Sequence, residues 1–275
     1  MRMILKLALV FAISKSFLFA NEQLVIEFEK NRLERNPELI VNSIKTFYIK
    51  KLDIKGDWSA YILDVNVDLK DKNMIVKDIL FSNGEVVTSE LYDINSNKSL
   101  QEQASPDLNN SYYDEKKLIA GTHGVKNSLV VFSDPLCPFC QRYIPELISY
   151  VNKNSKNIAL YYYSFPLIQI HRASLDLSKL IEIAKQSDKN IVEKAYKVNW
   201  NRYFDPNSTD SKLILDSFNK ELKTNIKLEE LQAEKYHKVI EDEVKMAENL
   251  LVNGTPTIYI NGKKDSSKEA YKKLK

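Results

Sequence analysis

Hydrophobic and polar positions change their period several times along the chain, and each change marks an element. Residues 21–35 form a charged, moderately amphipathic stretch that reads as helix. Asn36-Pro37 then supplies a cap and a proline suited to a first helical turn. Ile40, Ile44 and Phe47 follow at helical spacing, so a helix over about 37–50 is predicted. Past Gly56 the period drops to two. Leu63, Val65, Val67 and Leu69 alternate with Asp64, Asn66 and Asp68, which predicts a strand with one buried face. Two further apolar runs, Met74 to Phe81 and Val86 to Ile94, flank Asn83-Gly84, the strongest short-range signal for a hairpin. Residues 21–95 therefore read as a small α+β module. Residues 96–114 are mostly polar and broken at Pro106, which makes them a linker.

Beyond the linker the strands lose their alternation. Ser128 to Ser133 is a nearly continuous apolar run, as expected of a strand buried on both faces. Ile144, Leu147, Ile148 and Val151 then mark a helix stripe, and Ile158 to Phe165 a second strand closed by Pro166. From about 171 to 252 the pattern is helical. Thr257 to Ile260 returns to strand, Asn261-Gly262 turns the chain, and a short helix ends near Leu274. Strand, helix, strand, helical insert, strand and helix define an α/β domain over 115–275 with an all-helical insertion.

Composition adds a compartment. The 275 residues are 44% hydrophobic and 28% charged, the balance of an ordinary folded domain pair. The net charge of +3 is not evenly spread. Arg2, Lys6 and Lys15 are the charged residues of positions 1–20, around an apolar stretch from Leu7 to Ile13, with Ala20 before Asn21 as a small residue for cleavage. This is the pattern of a secretory signal peptide, and Lys15 interrupts it too early for a membrane span. An uncleaved anchor is the alternative. Without the leader, the remaining basic residues balance the 37 acidic ones. Nothing in that balance points to nucleic acid or an anionic membrane. The expected location is the periplasm, with cleavage near Ala20.

Export changes the meaning of the two cysteines. Both fall in Cys137-Pro138-Phe139-Cys140, so a disulfide linking distant parts of the fold is excluded. A metal site built from them and His123, His171 and His237 has no supporting spacing. At the end of a buried strand and the start of a helix, Cys137 meets unpaired N–H groups and the positive end of the helix dipole. Both favour its thiolate. Pro138 suits the first helical position. Cys140, one turn further, is placed to attack a mixed disulfide. Phe139 brings no charge or side-chain donor, so its help to the thiolate is smaller than a histidine's. An inert structural disulfide is the competing reading. Far along the chain, Gly254-Thr255-Pro256-Thr257 sets a proline at a strand entrance, where a cis peptide is one solution and a plain trans loop the other. Tyr161-Tyr162-Tyr163 reads as core, and Lys263-Lys264 as a solvated face.

Together, VVFSDPLCPFCQR (Val130 to Arg142) and VNGTPTIYI (Val252 to Ile260) resemble the thioredoxin-fold disulfide oxidoreductases, most of all the exported Dsb proteins of the dimeric C and G types. Asp134-Pro135, and threonine before the proline, are similar to those types. Val131 stands where thioredoxin and the A-type oxidases carry a buried acid. ILFSNGEVVTSELYDI (Ile79 to Ile94) resembles, more loosely, their dimerisation domain. The resemblance implies a thioredoxin fold with a helical insertion after a small α+β dimerisation domain. It implies Cys137 as nucleophile, Cys140 as resolving cysteine, and Thr255 and Pro256 as substrate-binding residues, with Pro138 and Phe139 tuning the site. No cofactor or metal is implied. The implied partners are unfolded or misfolded exported proteins, a membrane redox partner that keeps the cysteines reduced or oxidised, and a second copy of the chain. Isomerase is the favoured activity. An A-type oxidase, a Cu(I) carrier and a holdase chaperone are the alternatives.

Overall fold

The structure, a computed structural model, describes residues 21–70 and 72–274, so the expected leader lies outside the described residues. Contacts divide the chain into two units between Ser105 and Pro106.

In the first unit, residues 21–33 are helical (α1). A meander follows: β1 (Leu39–Lys51), β2 (Ser59–Leu69), β3 (Lys72–Ser82) and β4 (Val87–Thr88), all antiparallel and in that order across the sheet. Val25 of α1 packs with Tyr61, Leu63, Val65 and Val67 of β2 and Leu80 of β3. The alternation read from the sequence is thus the α1-facing row. Asp64, Asn66 and Asp68 take the other face. Buried Glu29 is held by Arg32 at 2.7 and 2.8 Å, and Arg32 also pairs with Asp78 of β3, so a charged clasp ties helix to sheet.

Two expectations fail here. Residues 39–51 form a strand, not a helix. Two irregularities, between Val41 and Ser43 and between Thr46 and Tyr48, each insert an extra residue into its register with β2. Leu39, Val41, Ile44 and Ile49 still reach the same core, but the insertions stretch a period of two toward a helix-like spacing. β-branched Ile40, Val41, Ile44, Thr46 and Ile49 favour the strand. Asn36 makes a turn instead of a helix cap, its Oδ1 accepting the Glu38 N–H at 3.1 Å. The second failure is the strand over Val86 to Ile94. It breaks into β4 and β5 (Tyr92–Asp93), and β5 pairs with β6 (Lys98–Ser99). The Asn83-Gly84 turn is present, with Asn83 Oδ1 accepting the N–H groups of Glu85 and Val86. The stretch read as a linker carries a 3-10 helix, Leu100–Ala104, that buries Leu100 and Ala104.

The second unit has the sheet order β11-β10-β8-β9-β7, built from β7 (Leu118–Gly121), β8 (Asn127–Ser133), β9 (Ile158–Ser164), β10 (Thr257–Ile260) and β11 (Lys263–Lys264). β8 and β9 run parallel and the remaining pairs are antiparallel. α2 (Pro138–Lys153) crosses between β8 and β9. The insert supplies α3 (Ser174–Ala184), α4 (Ile191–Lys197), α5 (Ser211–Leu222), α6 (Leu228–Leu231) and α7 (Glu234–Asn249). Leu129, Val131, Leu160 and Tyr162 face α2, α3 and α4, while Val130, Phe132, Tyr161 and Tyr163 face the opposite side with Ala247 and Leu250. The sheet is covered on both faces, which explains the missing alternation. Gly121 is required on β7: at φ +81° a Cβ would lie 1.9 Å from the Ile158 carbonyl oxygen. The fold is a thioredoxin-like α/β domain with a helical insertion, preceded by an antiparallel sheet unit.

Candidate active site

The two cysteines sit where β8 hands the chain to α2. Cys137 is the N-cap of α2, in extended conformation, and Pro138 takes the first helical position. No side chain caps this helix start, so its N–H groups are left to the sulfur. Both cysteines are free thiols.

The loop between strand and helix is fixed by a buried aspartate. Asp134, 0% exposed, accepts the N–H of Leu136 at 2.7 Å and that of Leu167 at 2.9 Å. His171 Nδ1 lies 3.0 Å from its Oδ2, and the Ser174 hydroxyl donates to Oδ1. One carboxylate therefore joins the cysteine loop, the loop after β9 and the start of α3. Sequence reasoning gave Asp134 only a family likeness and weighed His171 as a metal ligand. The structure makes both part of the scaffold under Cys137. A charged residue three positions before Cys137, at the end of an apolar strand, was the available signal. A second buried carboxylate, Glu243 of α7, accepts the Ser164 N–H at 2.6 Å and pairs with Lys117. Burial raises its pKa against the pull of Lys117.

The loop before β10 closes the site from the other side. The Thr255–Pro256 peptide is cis. It brings the Thr255 carbonyl oxygen to 3.5 Å from Cys137 Sγ, across 118 residues of sequence. The Thr255 hydroxyl is buried without a hydrogen-bond partner of its own, close enough to both sulfurs to favour their thiolates. Cys137 is only 5% exposed, more covered than the sequence argument anticipates, because Leu136 and the Thr255–Pro256 loop enclose it. Cys140 is 0% exposed. Phe139 is 66% exposed, with Arg142 over its ring at 5.4 Å. Of the residues singled out in sequence, Cys137, Cys140, Thr255 and Pro256 converge here, while Pro138 and Phe139 face outward.

The electrostatics split the pair. The Cys137 pKa is lowered to about 5, first by a hydrogen bond from the Cys140 thiol. The Thr255 hydroxyl and the N–H groups of Cys140 and Phe139 add to this, against the cost of burial. Phe139 therefore helps through its backbone, not its ring. The Cys140 thiol is pushed the other way, chiefly by burial and then by its neighbour. At neutral pH the arrangement holds one thiolate just below the surface and one thiol deeper beneath it, the division of labour that thiol–disulfide exchange needs. Tyr162 and Tyr196 meet below Cys140 at 3.1 Å between hydroxyls, so the tyrosine read as core also lines the floor of the site.

Among the described residues, no three His, Cys, Asp or Glu side chains gather as metal ligands, and no helix is long and apolar enough to cross a membrane. No curated protein matches the sequence significantly. Similar solved structures include ScsC of Proteus mirabilis in a transitional conformation. It is 20% identical with a TM-score of 0.44, over 56% of this chain and 68% of that one. Oxidised BdbD of Bacillus subtilis is 18% identical with a TM-score of 0.48, over 61% and 91%. A periplasmic thioredoxin-like protein of Salmonella enterica serovar Typhimurium is 19% identical with a TM-score of 0.44, over 57% and 88%. The family model described as thioredoxin matches residues 113–275, the whole α/β domain and more than half of the sequence, and the chain belongs to the thioredoxin family.

Proposed function

We propose that the protein is an exported thiol–disulfide oxidoreductase that rearranges disulfides in other exported proteins, as the dimeric C and G types of the Dsb family do. The observation that carries the reading is the Cys137 sulfur, held as a thiolate and set against the Thr255 carbonyl at 3.5 Å. The thiolate attacks one sulfur of a substrate disulfide. A Cys137–substrate bond forms, the substrate S–S bond breaks, and the electron pair leaves on the second substrate sulfur. In isomerisation a substrate thiolate later attacks elsewhere and returns Cys137 unchanged. In reduction Cys140 completes the exchange. The cis Thr255–Pro256 loop gives an extended substrate a backbone edge beside the sulfur. Exposed Phe139, Ile168 and Ile170 offer apolar contact, the last two on the loop that Asp134 ties to the cysteines. A groove of about 520 Å³ lined by Phe165, Leu167, Leu175, Ile240 and Val244 continues that surface.

Asp134-Pro135 and Thr255 support the isomerase type, and a dimer would be made through the first unit. A membrane partner would keep the pair reduced. The oxidase reading has its own support. Stabilising the Cys137 thiolate stabilises the dithiol, which makes the disulfide form more oxidising. Refolding assays with ribonuclease separate the two. An isomerase reactivates the scrambled enzyme faster than it oxidises the reduced one, and an oxidase reverses that order. Cys137→Ala removes both activities; if they persist in this variant, the enzyme reading is wrong.

A further inference from the structure

Resolution of a mixed disulfide requires Cys140 to become a thiolate in a place that water does not reach. Cys140 is 0% exposed, and the neighbouring strand offers no acid, since Val131 is apolar and equally buried. What surrounds the sulfur is a line of hydroxyl groups. Ser133, the last residue of β8, is buried beside Cys140, and its hydroxyl favours the Cys140 thiolate. Tyr196 of α4 donates its hydroxyl to Ser133 Oγ at 2.8 Å. Tyr162 of β9 meets Tyr196 at 3.1 Å. The Ser164 hydroxyl, buried without a hydrogen-bond partner, lies beside Tyr162. All four residues are at most 1% exposed.

The direction of these bonds gives the line its chemistry. A hydroxyl has one proton to donate. Because Tyr196 donates to Ser133, the Ser133 proton is free to point at the sulfur. Tyr162 can in turn supply its proton to Tyr196. Every proton in the line is then aimed toward Cys140, and chained hydroxyls polarise one another in the same sense.

Building on the disulfide-exchange reading, we infer that Ser133, Tyr196 and Tyr162 form a donor chain that stabilises the Cys140 thiolate during resolution. Ser133 is the member of the line next to the reacting sulfur, and Tyr196 and Tyr162 act through it as positioning residues. The Cys140 thiolate attacks Cys137 Sγ, the Cys137–Cys140 bond forms, and the Cys137–substrate bond breaks. The electron pair leaves on the substrate sulfur, which takes up one proton for the one Cys140 gave up. Cys140 is oxidised, the substrate sulfur is reduced, and no further reagent is needed. Timing favours this moment. Once Cys137 is bonded to substrate it no longer holds a negative charge against Cys140, and burial alone opposes the chain's donation.

The test uses the full chain, reduced and mixed with excess dithiobis(nitrobenzoate). Attack by Cys137 releases one coloured thiolate at a rate that depends on reagent concentration. Resolution by Cys140 releases a second at a rate that does not. For Tyr196→Phe and Ser133→Ala the second phase should slow by about ten- to a hundredfold, the worth of a hydrogen bond to a charged group, with the first phase within about twofold. Tyr162→Phe, at the far end, should slow the second phase by a smaller factor, and serves if either other variant fails to fold. Equal slowing of both phases would assign the chain a purely structural role and overturn the inference, as would an unchanged second phase. A wild-type protein that releases only one equivalent would instead sink the disulfide-exchange reading itself.

Discussion

The two sheets of this protein bury their strands in different ways, and the difference locates the chemistry. Over its second half, β2 in the first unit buries Leu63, Val65 and Val67 under α1 and leaves Asp64, Asn66 and Asp68 part-exposed on the other face. That face is covered only at its first half, by the cluster around Ala60 and Phe81. β9 in the second unit buries all seven of its residues, and β8 six of seven. A sheet that leaves part of one face open can organise a surface. A sheet covered on both sides can also hide a group from water, and Cys140 needs that shelter to stay protonated while Cys137 ionises.

The comparison is broken most severely at Asp134. Asp134→Ala strands the N–H groups of Leu136 and Leu167 inside the second unit and should cost about 3–5 kcal/mol, with the melting of that unit moved down in calorimetry. Leu63→Ala in the first unit should cost roughly 2–4 kcal/mol through its cavity, and leave the reactivity of Cys137 toward an alkylating reagent unchanged.

A smaller effect follows from pH. The Cys137 pKa is depressed from 9.0 to about 5, so between about pH 9 and pH 5 the unfolded chain binds a proton there that the folded one does not. The reduced protein should therefore lose stability relative to the oxidised one as pH falls through that window, by a few kcal/mol at most, and level off below it. Denaturant titrations of both redox forms measure this; a stability gap independent of pH would remove the thiolate from the account.

The smallest effect sharpens the contrast between faces. Ile75 stands 66% exposed on the outer side of β3, and Ile75→Thr should change stability by less than about 0.5 kcal/mol. Val130→Thr, the same kind of change inside β8, should cost about 1–3 kcal/mol because its hydroxyl finds no water. Equal effects would mean that the two sheets are not covered as described.

The sequence made β2 and the strand–helix junction at Cys137 legible because each depends on neighbours in the chain. Alternation is local, and so are a proline at the first helical position and the unpaired N–H groups beside it. β1 was misread for the same reason. Its two register insertions answer to β2, and they disguised a strand as a helix. The long helical insert was visible as a pattern, but not that α4 would carry Tyr196 to the floor of the site.

By itself, then, the sequence determined that two cysteines one helical turn apart begin a helix after a buried strand, and therefore that one of them is acidic. Tertiary structure decided the rest. It placed Thr255 against Cys137 across 118 residues, gathered four partners on Asp134, and lined up hydroxyls from β8, β9 and α4 beneath Cys140. Contacts between distant residues leave no period in the chain, because the residues that meet share only a location in the folded protein.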